Sequence, residues 1–171
     1  MIRLINGRGQ LGTALDKLIK EKDETKEEII IYHTWNFLDK SEPVQKECYS
    51  KFEEFVNNNL NSKIIFISTY SEIDGPYNHY KRLSEEYLLN KQKEGRVIRL
   101  PNLIGKGICE KFRNENIKSF GKMELMTIDS AGQIILDFIN SNSSIKNYNV
   151  KGTSIPAELV KKLILYGRDG R

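Results

Sequence analysis

The hexapeptide Gly7-Arg8-Gly9-Gln10-Leu11-Gly12 lies between a short, mostly apolar run, Met1 to Asn6, and a segment in which Leu11, Leu15, Leu18 and Ile19 recur at helical spacing. A strand that feeds a helix through three closely spaced glycines leaves few architectures open. The glycines permit a tight turn and a close approach of helix to strand, and the amides and positive end of the helix start can receive a pyrophosphate. The spacing is that of the dinucleotide fingerprint, in the strand-turn-helix setting the fingerprint requires. Taken alone, the spacing is a weak signal, and a glycine turn that only packs a helix on a strand stays open beside it.

The rest of the chain repeats this alternation. Residues 28–32 carry Ile29, Ile30 and Ile31 and predict a second buried strand. Ser41 and Pro43 punctuate, and Tyr49, Phe52, Phe55 and Val56 mark a helix that stops at Asn57, Asn58 and Asn59. Residues 63–68 predict a third strand, Tyr77 to Lys93 a long amphipathic helix, and Arg96 to Leu100 a fourth strand closed by Pro101. Weaker patterns predict a helix near 108–112, a strand at 124–128, a helix over 130–140 and a short strand at 148–150. Pro156 is expected to open a last helix through Leu165. Strands alternating with helices predict an α/β fold with a parallel sheet covered on both faces and right-handed crossovers. A chain of 171 residues, 39% hydrophobic, predicts one domain.

Charge and cysteine content narrow the partners. Lys20, Lys22 and Lys26 alternate with Glu21, Asp23, Glu24, Glu27 and Glu28, the pattern of a solvated helix end. The net charge of +4 is spread along the chain, which favours small anionic ligands over nucleic acid. Lys161, Lys162, Arg168 and Arg171 are too few, and lack the aromatic platform, for a nucleic-acid site. Cys48 and Cys109 form no CxxC pair and no leader precedes the first strand, which predicts a reduced, cytoplasmic protein. No apolar stretch approaches the roughly 20 residues that span a bilayer, so no membrane partner is expected. His33 and His79 lie far apart without clustered ligands, and no metal is expected.

The second chemical signal is Ser68-Thr69-Tyr70-Ser71 after the third strand, followed by Tyr77 and Lys81. Residues four apart share a helix face, so a phenol and an ammonium can approach one pocket. The ammonium would favour the phenolate, lower the tyrosine pKa and make it an acid or base near neutral pH. A hydroxyl from Thr69 or Ser68 could hydrogen-bond the substrate oxygen as charge develops.

These residues, in this order, resemble the short-chain dehydrogenase/reductase superfamily, extended type, in its sugar-nucleotide epimerase, dehydratase and reductase branch. GQLG in the first turn looks like the dTDP-4-dehydrorhamnose reductase type. The strand end IIFIST, the helix YNHYKRLSEEYLL and the run VIRLPNLIG resemble the family's catalytic half. MTIDSAGQIILDFI and YNVKGTSIPAELVKKLI resemble its later segments. The resemblance implies a reduced, Rossmann-like, doubly wound parallel sheet. In it, residues 1–105 form the nucleotide-binding core and residues 106–171 a reduced, substrate-side segment. It makes Tyr77 the catalytic acid or base and Lys81 the ligand of the nicotinamide ribose that also tunes Tyr77. Thr69 becomes the polarising hydroxyl, with Ser68 as the fallback. Gly7, Arg8, Gly9, Gln10, Leu11 and Gly12 would line the pyrophosphate turn, and His33, Thr34 and Asn102 would flank the cofactor. The implied cofactor is NAD or NADP, the substrate a sugar nucleotide or related carbonyl compound, and the setting surface polysaccharide biosynthesis. A homodimer is expected through the two helices bearing Tyr49, Phe52, Phe55 and Val56 and Tyr80, Leu83, Tyr87 and Leu88.

The sequence also departs from the family. The first glycine of its GxxGxxG pattern is Asn6, a residue that tolerates a left-handed backbone. Between Gly12 and IIIYHTWN there is room for one helix only, so the second strand, with the acidic residue that holds the adenosine ribose, is missing. Thr69 and Tyr77 lie closer than the family allows, and the stretch between Gly105 and Met123 is small for a substrate lid. Two readings stay open: a miniature nicotinamide enzyme, or a degenerate relative that serves as a partner or ligand-sensing subunit.

Overall fold

The computed structural model describes residues 1–22, 28–71, 73–114, 121–141 and 144–166. Five parallel strands make the main sheet in the order β1-β2-β3-β4-β7: β1 (Ile2–Ile5), β2 (Ile29–Tyr32), β3 (Lys63–Thr69), β4 (Arg96–Leu100) and β7 (Asn147–Asn149). The run IIIY is buried along its whole length, as expected of a parallel strand covered on both faces. Ile29, Ile31, Ile65, Ile67, Ile98 and Leu100 face one layer, which is formed by α1 (Gln10–Lys22) and α5 (Ile128–Asn140). Ile30, Tyr32, Ile64, Phe66 and Val97 face the other, formed by α2 (Glu42–Asn58) and α3 (Pro76–Lys91). The expected α/β sheet with helices on both faces is therefore present.

The expectation of uniformly right-handed crossovers is not met. The chain steps from β1 to β2 to β3 to β4 in one direction across the sheet, yet α1 lies on the opposite face from α2 and α3. With parallel strands, connections that advance the same way over opposite faces have opposite hands. The β1-to-β2 connection through α1 and the β4-to-β7 connection that returns through α5 therefore share one hand, and the connections through α2 and α3 share the other, so the right-handed preference cannot hold throughout. The consequence is local. Between the carboxyl ends of β1 and β2, one connection leaves upward and the other downward, which opens a crevice of the kind that serves ligands in α/β sheets.

A second sheet, order β5-β6-β8, combines β5 (Asn102–Ile104), β6 (Lys122–Thr127) and β8 (Thr153–Pro156), with β6 antiparallel to β8. Its small core joins Phe112 of α4 (Lys106–Asn114), Leu125 and Val160 of α6 (Ala157–Tyr166). β5 and β8 were not anticipated. The residues after 105 divide between the sheets, because α5 and β7 return to the large one.

Candidate active site

The glycine turn forms one wall of the crevice. Asn6 takes φ 54°, the left-handed conformation expected of it, and its carbonyl accepts from Arg8 N at 2.7 Å. A Cβ on Gly12 would lie 2.7 Å from the Gly7 backbone, and a Cβ on Gly7 2.8 Å from Leu4 Cδ2. A Cβ on Gly9 would meet nothing within 4 Å. Two glycines thus bring helix and strand together, while the middle one leaves space in front of the start of α1, where helix amides have no partner within the helix. Thr13 N and Oγ1 both donate to Gly9 O, at 2.8 and 3.0 Å, and fix the turn.

The opposite wall follows β2. Thr34 Oγ1 donates to Ile5 O at 3.1 Å, which ties the loop to the end of β1. His33 Nε2 is buried without a hydrogen-bond partner. Burial, and secondarily the Lys81 charge, holds the imidazole below its ordinary pKa. Ser68 Oγ, at the carboxyl end of β3, is likewise buried and unpartnered. Thr69 Oγ1 accepts from Ser71 N at 3.1 Å. Two buried polar atoms without partners at the same end of the sheet carry a desolvation cost that a polar ligand would offset.

Tyr77 and Lys81 enter from α3. Gly75 takes φ 151°, a conformation open to glycine, and Pro76 then starts the helix. Lys81 is buried, with Nζ donating to Ile67 O at 2.9 Å and lying 4.5 Å from the ring centroids of both Trp35 and Phe66. Burial lowers its pKa to about 7. Tyr77 is half-buried beneath Lys40, whose Nζ lies 5.0 Å from the ring centroid. Burial pushes the phenol up to about 12. The expected lowering of the Tyr77 pKa by Lys81 is therefore absent, because desolvation dominates the phenol and the lysine directs its proton at a backbone carbonyl.

The remaining expected residues fall in different places. Arg8 is exposed. Leu11 packs into the core beneath α1. Gln10 lies against Gly105, where a Cβ would come within 2.5 Å of Oε1. Asn102, exposed at the start of β5, donates through Nδ2 to Glu124 O at 3.3 Å. Arg168 and Arg171 lie outside the described residues, as does Glu27. Lys162 pairs with Glu158 at 3.0 Å.

One feature of the site was not anticipated. Glu85 is buried between Arg82 and Arg99, with Arg99 Nε 3.1 and 3.0 Å from its two oxygens and Arg82 Nη1 bonded to Oε1. Arg82 Nη2 also donates to Thr69 O at 2.9 Å and Ser71 O at 3.2 Å, so α3 holds the segment after β3. Two arginines in the otherwise apolar strand RVIRL were the available signal.

Two shallow cavities lie elsewhere, one of about 460 Å³ between α1 and α5 around Lys17, Leu18 and Gln133, and one of about 380 Å³ beside Ile104, Met126 and Ile155. Among the described residues, no group of three or more His, Cys, Asp or Glu could hold a metal, and no helix is long and apolar enough to cross a membrane.

No family model and no curated protein matches the chain. Solved structures do. A dTDP-4-dehydrorhamnose reductase from Clostridium acetobutylicum shares 15% identity over 99% of this chain and 80% of its own, with a TM-score of 0.78. A dTDP-4-dehydrorhamnose reductase from Bacillus anthracis, in complex with NADP, shares 13% over 99% and 81%, with a TM-score of 0.76. An NAD-dependent NDP-hexosamine 5,6-dehydratase involved in tunicamycin biosynthesis shares 13% over 98% and 80%, with a TM-score of 0.75. At these identities the likeness is one of fold: this chain has the Rossmann-like α/β fold that these reductases and this dehydratase share.

Proposed function

We propose that the chain binds NAD or NADP in the crevice between β1 and β2 and acts as an oxidoreductase, epimerase or dehydratase. Its substrate would be a sugar nucleotide or a related carbonyl or carbinol compound, in the setting of surface polysaccharide biosynthesis. The observation that carries this reading is the crevice itself, with open space before Gly9 and the buried, unpartnered His33 Nε2 and Ser68 Oγ near it. The residues fit such a group: glycine-backed amides suit a phosphate, and Thr34, His33 and Ser68 offer polar atoms beyond it. When bound, the nicotinamide supplies a hydride donor or acceptor.

Tyr77, with a phenol at about 12, keeps its proton across the neutral range and donates it to a substrate carbonyl oxygen. Thr69 or Ser68 supplies a second donor to that oxygen. Lys81 acts as a positioning residue, bonded to Ile67 O and packed on Trp35. The short segment from Thr69 to Tyr77 favours a compact substrate.

The test is reduction of a panel of keto-sugar nucleotides by NADH and NADPH, followed by loss of the reduced nicotinamide absorbance. Turnover that falls by about 100-fold or more in kcat in Tyr77→Phe, with KM nearly unchanged, is the expected result. Cofactor binding without turnover on any substrate would replace the enzyme by a ligand-sensing or partner subunit. We also propose a homodimer through α2 and α3. Phe52, Val56 and Leu88, expected at the interface, are instead buried in this chain's own core and Tyr80 is buried against α2, so the surface left for a partner is the one bearing the half-buried Tyr49, Phe55, Leu83 and Tyr87. A monomer mass by light scattering at micromolar concentration would remove the dimer.

A further inference from the structure

We propose that the chain grips its cofactor through the nicotinamide mononucleotide half alone and leaves the adenosine half without partners. The inference rests on the crevice as a nicotinamide site and adds what part of the cofactor that site reads.

Sheet order is the first argument. In the usual dinucleotide-binding sheet, further strands lie beside the first strand on the side away from the nicotinamide, and an acidic residue about 20 positions past the glycines ends the nearest of them and holds the adenosine ribose. Among the described residues, β1 is the edge of this sheet. Its neighbour on the inner side, β2, carries the polar groups of the crevice wall.

The position of the candidate acid is the second. Glu28 is the described carboxylate nearest that sequence distance, but it precedes β2, which runs parallel to β1 in the register Ile2 to Ile29. Ile29 N donates to Met1 O at 3.1 Å, so Glu28 lies beside the start of β1. The glycine turn is at the other end, roughly 17 Å away at the usual strand rise. Glu28 is already engaged there, 3.7 Å from Arg3 Nε. A carboxylate at the amino end of the strands cannot reach a ribose bound at the carboxyl end.

The third is the distribution of unsatisfied polarity. Among the described residues four buried side-chain atoms lack partners: Asn78 Oδ1 and Gln92 Oε1 belong to α3 and its end, while His33 Nε2 and Ser68 Oγ lie at the ends of β2 and β3, on the inner side of β1. The charged residue within the glycine turn, Arg8, is exposed. A solvated guanidinium changes affinity for a 2′-phosphate by no more than about fivefold. Polar atoms that a ligand could satisfy thus lie on the inner side of β1, and beyond β1 no described strand follows.

The test is titration of the full chain with NADH, NADPH, reduced nicotinamide mononucleotide and AMP, read by calorimetry and by the fluorescence of Trp35, the single tryptophan, which packs beside Lys81. The three nicotinamide nucleotides are expected to bind with Kd values within about tenfold of one another, with AMP failing to compete. Gly9→Val should abolish binding of all three without moving the unfolding midpoint. A dinucleotide that binds more than tenfold tighter than the mononucleotide, or competition by AMP, would overturn the inference and leave the nicotinamide site standing. Failure of all three nucleotides to bind would overturn both.

Discussion

Gly12 and Gly9 sit three residues apart in one turn and respond oppositely to a side chain. At Gly12 a methyl would meet the Gly7 backbone at 2.7 Å, so Gly12→Ala is predicted to cost about 2 kcal/mol through overpacking. At Gly9 nothing lies within 4 Å, and Gly9→Ala is predicted to change stability by no more than about 0.5 kcal/mol. Urea midpoints for the two variants check this, and equal losses would contradict the turn geometry. Lys81 gives a pH signature. Its pKa is about 7 in the folded chain against 10.5 ordinarily, so above pH 7 the unfolded chain holds the extra proton and stability rises with pH. The raised phenols of Tyr32, Tyr49 and Tyr77, at about 12, add stability that is lost only as pH climbs above 10. Between pH 7 and pH 10 the urea midpoint is thus predicted to climb, and to stay flatter in Lys81→Met. Parallel profiles would show that the buried amine does not control this window. The types and order of Gly9, Tyr77 and Lys81 were legible in the sequence because they are local. That Lys81 would spend its proton on Ile67 O, and that burial would outweigh charge at Tyr77, depends on what the fold stacks over them, which spacing does not encode.

At the scale of elements, α3 is fastened twice. Arg82 and Glu85 join its second turn to the segment after β3 and to Arg99 of β4, and the Lys81 amine bonds the end of β3 itself. Removing the charge in Glu85→Gln leaves two partly buried guanidinium groups unneutralised, and a loss of about 3 kcal/mol is predicted. The double variant Glu85→Gln with Arg99→Gln should recover part of that loss in the same denaturation measurement. No recovery would show that the carboxylate acts independently of Arg99. The long elements were legible: the 3.6-residue recurrence in α1 and the apolar runs of β2 and β3 are strong patterns. β5 and β8 were not, because three or four half-exposed residues carry no periodicity that separates them from loop.

The whole molecule shows how a sheet is arranged when its first two strands in sequence are direct neighbours. β1 pairs directly with β2, while α1 lies on the face opposite α2 and α3. That connection takes the hand opposite to the next two, and the loops after β1 and β2 diverge to opposite faces. Sequence could show that a strand was missing, since the interval between Gly12 and Ile29 holds one helix. It could not show that α1 lies on the face opposite α2 and α3, because the apolar stripe of α1 fits either face of a sheet. α5 packs on the large sheet directly after β6 of the small one, so the two cores are expected to unfold together. A single transition by both far-ultraviolet circular dichroism and Trp35 fluorescence is predicted, and two separate midpoints would show two units.

Backbone-amide NMR during titration with NADPH reads whether a nicotinamide nucleotide occupies the crevice between β1 and β2. The predicted result is saturable shifts concentrated at residues 7–12 and at His33 and Thr34. Shifts confined to the groove around Lys17 and Gln133, or no shifts at millimolar nucleotide, would contradict it.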